Sequence, residues 1–389
     1  MYIGSSITGM FILEVGRGYP DERWPLYGIF EYDQAISLKK LGHRVYYAAV
    51  DVRSIRRKRR FGLYQTEKDG IPAFVFSFPV GALRGADVVV SGWGFDKLLA
   101  KLIKEQGKPD VIHAHFFDVA AAARKAAENY GIPLVVTEHS SQANRRDMDE
   151  KEQKIQKAGY GGAASVIAVS TALRDNIRAN TGIEAVVIPD VLRFPDKEAA
   201  RVPGETEGVR FISASNLLVN KGFDLLTEAF AGVARSLPNA ELLIMGDGPE
   251  RSRIENRIAE LGLSDRVTMT GRYTRDQFAL ELTKSDVFVL PSRGETFGVV
   301  YAEALSCGVP VIATRCGGPE DMVTAENGLL VDCEDIGALA DAMLYMASHL
   351  DGFDRERIAE NCRNRYSQKT VAEQVTRVLE SVVKKEETI

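Results

Sequence analysis

Glu295 and Glu303 stand eight residues apart on either side of a glycine, in the run Gly294-Glu295-Thr296-Phe297-Gly298-Val299-Val300-Tyr301-Ala302-Glu303-Ala304-Leu305. The apolar Val287-Phe288-Val289-Leu290 and then Pro291-Ser292 precede it. The pattern predicts a short buried strand, a glycine-bearing loop, and a helix whose first amides belong to residues near Thr296, Phe297, Gly298 and Val299. Such an amide set is an anion cradle. At helical pitch Glu303 falls about one and a half turns into the helix while Glu295 stays on the loop. Two carboxylates accept hydrogen bonds from hydroxyls and the amides hold phosphate, which suits a sugar nucleotide. A pair of solvated surface glutamates is the alternative at this point.

The elements that must position these groups alternate between short apolar strands and helix-length connections. In the first half, strands are expected at Met10–Val15, Val45–Val50, Ala73–Phe76, Val88–Val90, Asp110–His115, Leu134–Thr137, Val166–Val169 and Val186–Ile188. A helix follows Gly28 as far as Leu41, and a polar helix is expected from Arg145 to Lys157. Ser170 or Thr171 caps the helix after the seventh of those strands. In the second half, Phe211–Leu217, Leu242–Met245, Val267–Thr270 and Val311–Thr314 repeat the pattern. The alternation implies parallel sheets covered by helices on both faces, with ligands bound at the carboxyl ends of the strands. His113 and His115 lie at such an end and point the same way.

Length and composition agree. A chain of 389 residues exceeds one ordinary core, so two domains are expected, residues 1–192 and 209–370. The charged, Pro- and Gly-bearing stretch 193–208 reads as a linker. A hydrophobic content of 45%, a charged content of 26% and 34 glycines describe a globular α/β protein. A net charge of -5 argues against general nucleic-acid binding. The four cysteines, Cys307, Cys316, Cys333 and Cys362, lack metal-ligand spacing, which suggests free thiols in a reducing, cytoplasmic compartment. No run of 18 apolar residues occurs, and Met1–Gly9 has no signal-peptide pattern. Against the acidic background, Arg53, Arg56, Arg57, Lys58, Arg59 and Arg60 form a cationic run suited to an anionic membrane surface or a lipid diphosphate. The protein is therefore expected to be cytoplasmic, with peripheral attachment to the inner face of the cell membrane.

Several motifs in order resemble the retaining glycosyltransferases of the GT-B fold, specifically the family called GT4. Pro291-Ser292-x-x-Glu295-x-Phe297-Gly298 running into Glu303-Ala304 is similar to its donor signature. Asp110-x-x-His113-x-His115 and the Gly246-Asp247-Gly248-Pro249 loop are similar to further family motifs. The resemblance spans residues 10–383 and implies two Rossmann-like, doubly wound domains facing across a cleft, the last helix (371–389) packing back on the first domain. It implies that Glu295 contacts hydroxyls of the transferred sugar, Glu303 holds the ribose, and Thr296 to Val299 approach the diphosphate. Gly28, Gly246 and Gly248 would border the nucleotide, and the backbone at Arg272 and Tyr273 would read the base. Lys221 would neutralise the diphosphate, and His115 would orient sugar and acceptor, with His113, His139 and Ser140 as acceptor contacts. No metal and no cofactor other than the nucleotide sugar are implied. One departure stands out: Asn216 occupies the family's arginine position, leaving the positive field to Lys221, aided by Arg293 or the helix dipole. The reading is a sugar transfer from a UDP- or GDP-sugar to a glycan or lipid-linked acceptor. Rivals are a non-catalytic partner in a polysaccharide-synthesis complex, a sugar-nucleotide epimerase and a glycan phosphorylase.

Overall fold

A computed structural model describes residues 9–20, 27–52, 60–79, 86–145, 148–194 and 208–386. The chain divides into two compact units, Met1–Val191 with Gln368–Ile389, and Leu192–Ser367. Residues 53–59 of the basic run and most of the expected linker lie outside the described residues.

The first unit holds β1 (Phe11–Gly16), β2 (Arg44–Asp51), β3 (Gly62–Lys68), β4 (Ile71–Ser77), β5 (Val111–His115), β6 (Leu134–Glu138), β7 (Ser165–Ala168) and β8 (Val186–Val187). Their order across the sheet is β3-β4-β2-β1-β5-β6-β7-β8. All pair in parallel except β3 with β4. All six residues of β1 are buried, as expected of a strand covered on both faces. The order reverses at β1, so a crevice opens outside the carboxyl ends of β1 and β5.

Three local readings change. Val88–Val90 lie in the helix Ala86–Gln106 rather than in a strand. Phe95, Leu98, Leu99 and Leu102 bury one stripe of that helix, and a helical period sustained over many residues overrides the strand preference of three valines. The antiparallel β3 was not anticipated: its faces are mixed, as on many edge strands, and its turn uses Asp69 and Gly70, both at positive φ (50° and 69°). The helix expected from Arg145 starts at Glu150, where Asp149 and Glu152 form a capping box. Ser170 does cap its helix, accepting from the Leu173 amide at 3.2 Å.

The helix Gln368–Glu386 belongs to the first unit, where Val371, Ala372, Val375, Leu379 and Val382 join Met10, Leu38 and Val45 in one core cluster. His43 Nε2 meets Thr376 Oγ1 at 3.0 Å across that packing.

The second unit is a six-stranded parallel sheet of β9 (Arg210–Ala214), β10 (Glu241–Met245), β11 (Val267–Gly271), β12 (Val287–Leu290), β13 (Val311–Thr314) and β14 (Gly328–Val331). Its order is β11-β10-β9-β12-β13-β14, reversing between β9 and β12. Two close backbone approaches draw loops together at that reversal. Gly222, at φ 69°, would place a Cβ 2.0 Å from the Pro291 carbonyl oxygen, and Gly318 would place one 2.5 Å from Phe297 Cα.

Gly222→Ala meets both a left-handed backbone and a carbonyl, so it is expected to destabilise the second unit by about 2–4 kcal/mol. Urea unfolding followed by a probe within that unit reads this; an unchanged midpoint would mean that the two loops do not press together.

Candidate functional site

The loops leaving β9 and β12 meet at the sheet's switch point. The Arg293 amide donates to the Asn220 carbonyl at 2.7 Å, and the Arg293 guanidinium reaches the Val219 carbonyl at 2.6 Å. Lys221 Nζ then lies 2.6 Å from Glu295 Oε1, and Ser292 Oγ donates to the same oxygen at 2.9 Å. Both partners are largely buried, with 18% and 10% of their side chains exposed. The sequence separated these two residues into different motifs; the fold makes them an ion pair.

Arg293 does not lend the site a spare charge. Its two terminal nitrogens fork onto Asp224 at 2.9 Å each, and its Nε meets Glu334 at 2.5 Å. Asn216 is exposed and brings no charge. The positive side of the site is thus Lys221 and backbone amides.

Those amides begin the helix Val299–Ser306, entered through Gly298 at φ 92°. First-turn amides have no intrahelical acceptor. Tyr301, fully buried, donates its hydroxyl to the Leu290 carbonyl and ties the helix to β12. Thr296 and Phe297 are buried under Gly317 and Gly318, the Gly318 amide donating to the Glu295 carbonyl at 3.0 Å. The double glycine therefore serves close backbone approach to the signature loop.

Gly246 and Gly248 also allow close approach, since a Cβ on them would meet the Ser215 and Leu217 carbonyls at 1.9 and 2.4 Å. Arg272 reaches Asp247 at 3.1 Å and is otherwise open to solvent, while Tyr273 packs on Phe278. Glu303 borders a cavity of about 300 Å³ that Arg193, Arg275, Phe278 and Cys307 also line. Burial pushes its carboxyl up to about 7, with Arg275 at 3.7 Å only partly opposing. It is poised to change charge near neutrality.

In the first unit, register sets Glu14 of β1 beside His113 of β5. Glu14 Oε1 meets His113 Nδ1 at 2.8 Å, and Oε2 meets His115 Nε2 at 2.7 Å. His115 Nδ1 meets His139 Nε2 at 2.9 Å, and His139 Nδ1 meets Asp190 Oδ1 at 2.6 Å. His113 Nε2 completes the set on Thr137 Oγ1 at 2.7 Å. Glu14, His113 and His115 have no exposed surface.

The pKa shifts of Glu14 and His115 favour one arrangement of protons among those that satisfy these contacts. Burial opposes ionisation of Glu14, but His113 and His115 outweigh it and hold the carboxyl at about 2. Burial pushes His115 down to about 4, so it is neutral, donating from Nε2 to Glu14 and accepting at Nδ1. His139 must then donate from Nε2, and its Nδ1 faces the Asp190 carboxyl. Burial works against a charge on that ring, and Asp190 overcomes it, raising His139 above its usual value of 6.5. The donor atoms of Glu14, His113 and His115 lie within 4.8 Å of one another, a spacing that also suits a metal ion, yet these hydrogen bonds already complete each atom.

His115 therefore has both ring nitrogens committed to protein partners, as do His113 and His139. Ser140 accepts from the Ala143 amide at 3.1 Å, and Glu138 anchors the loop by accepting from the amides of Phe117, His139 and Ser140 and from Tyr160. Gly28, at φ 75°, enters the first helix, and a Cβ there would lie 2.5 Å from the Gly18 carbonyl. Sequence reasoning missed Glu14 and Asp190. The first left a signal, an acid inside an apolar strand; the second left none, because its partner is 51 residues away. Phe116 stands at φ 75° without being glycine, under the Arg17 guanidinium at 3.7 Å, and Arg17 also pairs with Asp118 at 3.0 Å.

Two family models match the chain, Glycosyltransferase Family 4 over residues 30–190 and Glycosyl transferases group 1 over residues 196–365. The chain is similar to a D-inositol 3-phosphate glycosyltransferase of Mycolicibacterium smegmatis, 30% identical over 71% of this chain and 65% of the relative. It is also similar to a putative teichuronic acid biosynthesis glycosyltransferase, TuaC, of Bacillus subtilis, 28% identical over 86% of this chain and 88% of the relative. It spans about 65% of the length of the first curated relatives it matches. Among solved structures, sucrose-phosphate synthase from Thermosynechococcus elongatus superposes with a TM-score of 0.78 at 20% identity, covering 95% of this chain and 98% of that one. Anabaena HepE in complex with UDP and glucose gives 0.71 at 20% identity, covering 96% and 100%. At these identities the likeness establishes the fold, two parallel-sheet α/β domains of GT-B type.

The histidine relay carries a pH signature. A folded-state value above 6.5 means that the His139–Asp190 contact contributes fully below pH 6.5 and is lost as pH rises through the raised value. Asp190→Asn is expected to cost about 1–3 kcal/mol at pH 6 and to flatten the decline in stability on the alkaline side. Urea midpoints from pH 6 to 9 for both proteins provide the check, and parallel profiles would remove the imidazolium from the relay.

Proposed function

The chain belongs to the family 4 glycosyltransferases of GT-B fold, and on that premise we propose that it is a retaining enzyme that moves a sugar from a nucleoside diphosphate to a glycan or lipid-linked acceptor. The names of its relatives, among them teichuronic acid and phosphatidylinositol glycosyltransferases, favour cell-surface polysaccharide or glycolipid synthesis. The observation that carries the reading is the Lys221–Glu295 ion pair, set at a switch point beside free helix-start amides.

In the reaction, the bond from the sugar's anomeric carbon to the diphosphate oxygen breaks, a bond to an acceptor hydroxyl oxygen forms, and the hydroxyl's proton passes to the leaving diphosphate. Negative charge develops on the leaving diphosphate, where Lys221 and the amides of Phe297, Gly298 and Val299 stabilise it without reorganising. Glu295 accepts from sugar hydroxyls, Glu303 from the ribose, and the backbone at Arg272 and Tyr273 borders the base. The His113, His115, His139 and Ser140 group serves the acceptor side as a positioning set, because its polar atoms are held by protein partners. No metal is required in this scheme.

Donor arrival exchanges partners. Lys221 turns from Glu295 to the diphosphate, and the sugar hydroxyls take the acceptor oxygen that it leaves. A bare nucleoside diphosphate strips Glu295 of its cation and gives nothing back. Calorimetric titration with UDP, GDP and ADP, and with their glucose or mannose conjugates, with and without magnesium, tests this. One nucleotide series is expected to bind without magnesium, with the conjugate tighter than the bare diphosphate; Lys221→Ala should lose at least tenfold in affinity. Glu295→Gln should tighten the bare diphosphate and shrink the preference by about tenfold. No binding in any series would favour a non-catalytic partner in a polysaccharide-synthesis complex, a reading that Asn216 motivates.

Glu303 gives a second test. Ribose hydroxyls donate to its ionised form, so binding lowers a carboxyl that sits at about 7 in the free protein. Affinity should rise with pH between 6 and 8, by up to about tenfold per unit below that value, and the rise should vanish in Glu303→Gln. A flat profile in the parent protein would take Glu303 away from the ribose.

A further inference from the structure

Lys221 ends a single helical turn, Val219–Lys221, that buries none of its residues. Leu218 and Val219, the apolar side chains just before it, are 41% and 56% exposed. Hydrophobic packing therefore does not hold the ammonium where it stands. Arg293 reaches the backbone and side chains on both sides of it.

Before Lys221, the Arg293 amide donates to the Asn220 carbonyl at 2.7 Å, and its guanidinium donates to the Val219 carbonyl at 2.6 Å. After Lys221, the two terminal nitrogens fork onto Asp224, in the first turn of the helix Phe223–Ser236. A third tie runs to the loop beyond β14, where Glu334 stands at φ 64° without being glycine. Its two carboxylate oxygens meet Arg293 Nε at 2.5 Å and a terminal nitrogen at 3.2 Å. Burial opposes ionisation of Asp224, but Arg293 outweighs it and holds that carboxyl below its usual range. These contacts occupy the whole guanidinium: Nε serves Glu334, one terminal nitrogen serves Val219 and Asp224, and the other serves Asp224 and Glu334. A guanidinium has no further N–H to give.

We propose that Arg293 is a positioning residue for the donor, fixing the Lys221 ammonium beside Glu295 without touching the ligand itself. An arginine that binds phosphate keeps its fork for the phosphate oxygens, and this fork is spent on the loops that flank Lys221. A lysine at position 293 would keep the charge but, as a point donor, could not span Val219 and Asp224 together. The consequence for transfer rests on the donor reading above; the hold on Lys221 does not.

Reductive methylation of the full chain, with each lysine read by mass spectrometry, tests that hold with no ligand present. Arg293→Lys is expected to speed methylation of Lys221 by about fivefold, while Lys284 in the same unit keeps the parent rate. Asp224→Asn, which leaves Arg293 its carbonyl contact, should act in the same direction and less strongly. Unchanged Lys221 labelling in both variants would overturn the proposal. So would equal acceleration at Lys284, which would make the effect a loosening of the whole unit. Calorimetry with UDP, GDP and ADP adds the ligand: Arg293→Lys should cost about tenfold in affinity in the parent background and nothing further in Lys221→Ala. Equal losses in both backgrounds would place Arg293 on the ligand and overturn its positioning role. A parent chain that binds none of the three would sink the donor reading, and the labelling would still decide what holds Lys221.

Discussion

Lys221 and Glu295 are 74 residues apart in the chain and 2.6 Å apart in the fold, and that contact depends on where backbone is allowed to touch backbone. A parallel sheet that reverses its strand order splays the loops beyond β9 and β12 and leaves a crevice between them. Three glycines close it. Gly222 admits Pro291, and Gly317 and Gly318 lie under the loop from Glu295 to Phe297, so the carboxylate and the ammonium are held by main chain rather than by flexible side-chain packing. A site built this way loses little entropy when a ligand replaces one partner of the pair, because the frame does not depend on that partner.

The first unit solves a different problem, how to keep two carboxylates and three imidazoles in a nearly dry interior. Each carboxylate is answered by ring nitrogens, and the line from Glu14 to Asp190 closes with both nitrogens of His115 and His139 used. Removing Glu14 would leave two buried ring N–H groups without an acceptor, and removing Asp190 would strip His139 of the carboxyl that favours its charged form, so either change costs more than the contact itself contributes. The relay also fixes the carboxyl ends of β1, β5 and β6 to the segment after β8, so the electrostatics and the shape of that crevice are one feature.

What was legible in the sequence followed the distance over which each signal acts. The strand, loop and helix around Glu295 are encoded within a dozen residues and appear as read, as does the alternation that makes the second sheet parallel and the first parallel in all but β3. Val88–Val90 misled because three β-branched residues are a local signal, while the buried stripe from Phe95 to Leu102 that holds them in a helix lies beyond them. Arg293 misled in another way: next to the motif it reads as a spare cation, and only the fold reveals Asp224 and Glu334 on either side of it. Glu14 and Asp190 were passed over because their meaning depends on histidines 99 and 51 residues away.

Asn216 is the departure with the widest consequence. With no charge there and Arg293 engaged, the anion side proposed for the switch point has, among the described residues, Lys221 as its side-chain cation, and Glu295 already neutralises it. Field strength must then come from oriented amides at the start of the Val299–Ser306 helix, which are fixed before any ligand arrives. A fixed dipole discriminates by position more than by charge: it rewards a diphosphate that sits at the helix start and gives little to an anion that merely enters the crevice. Exchanging an arginine for an asparagine therefore need not weaken such a site in the transition state, provided the leaving oxygen forms where those amides converge.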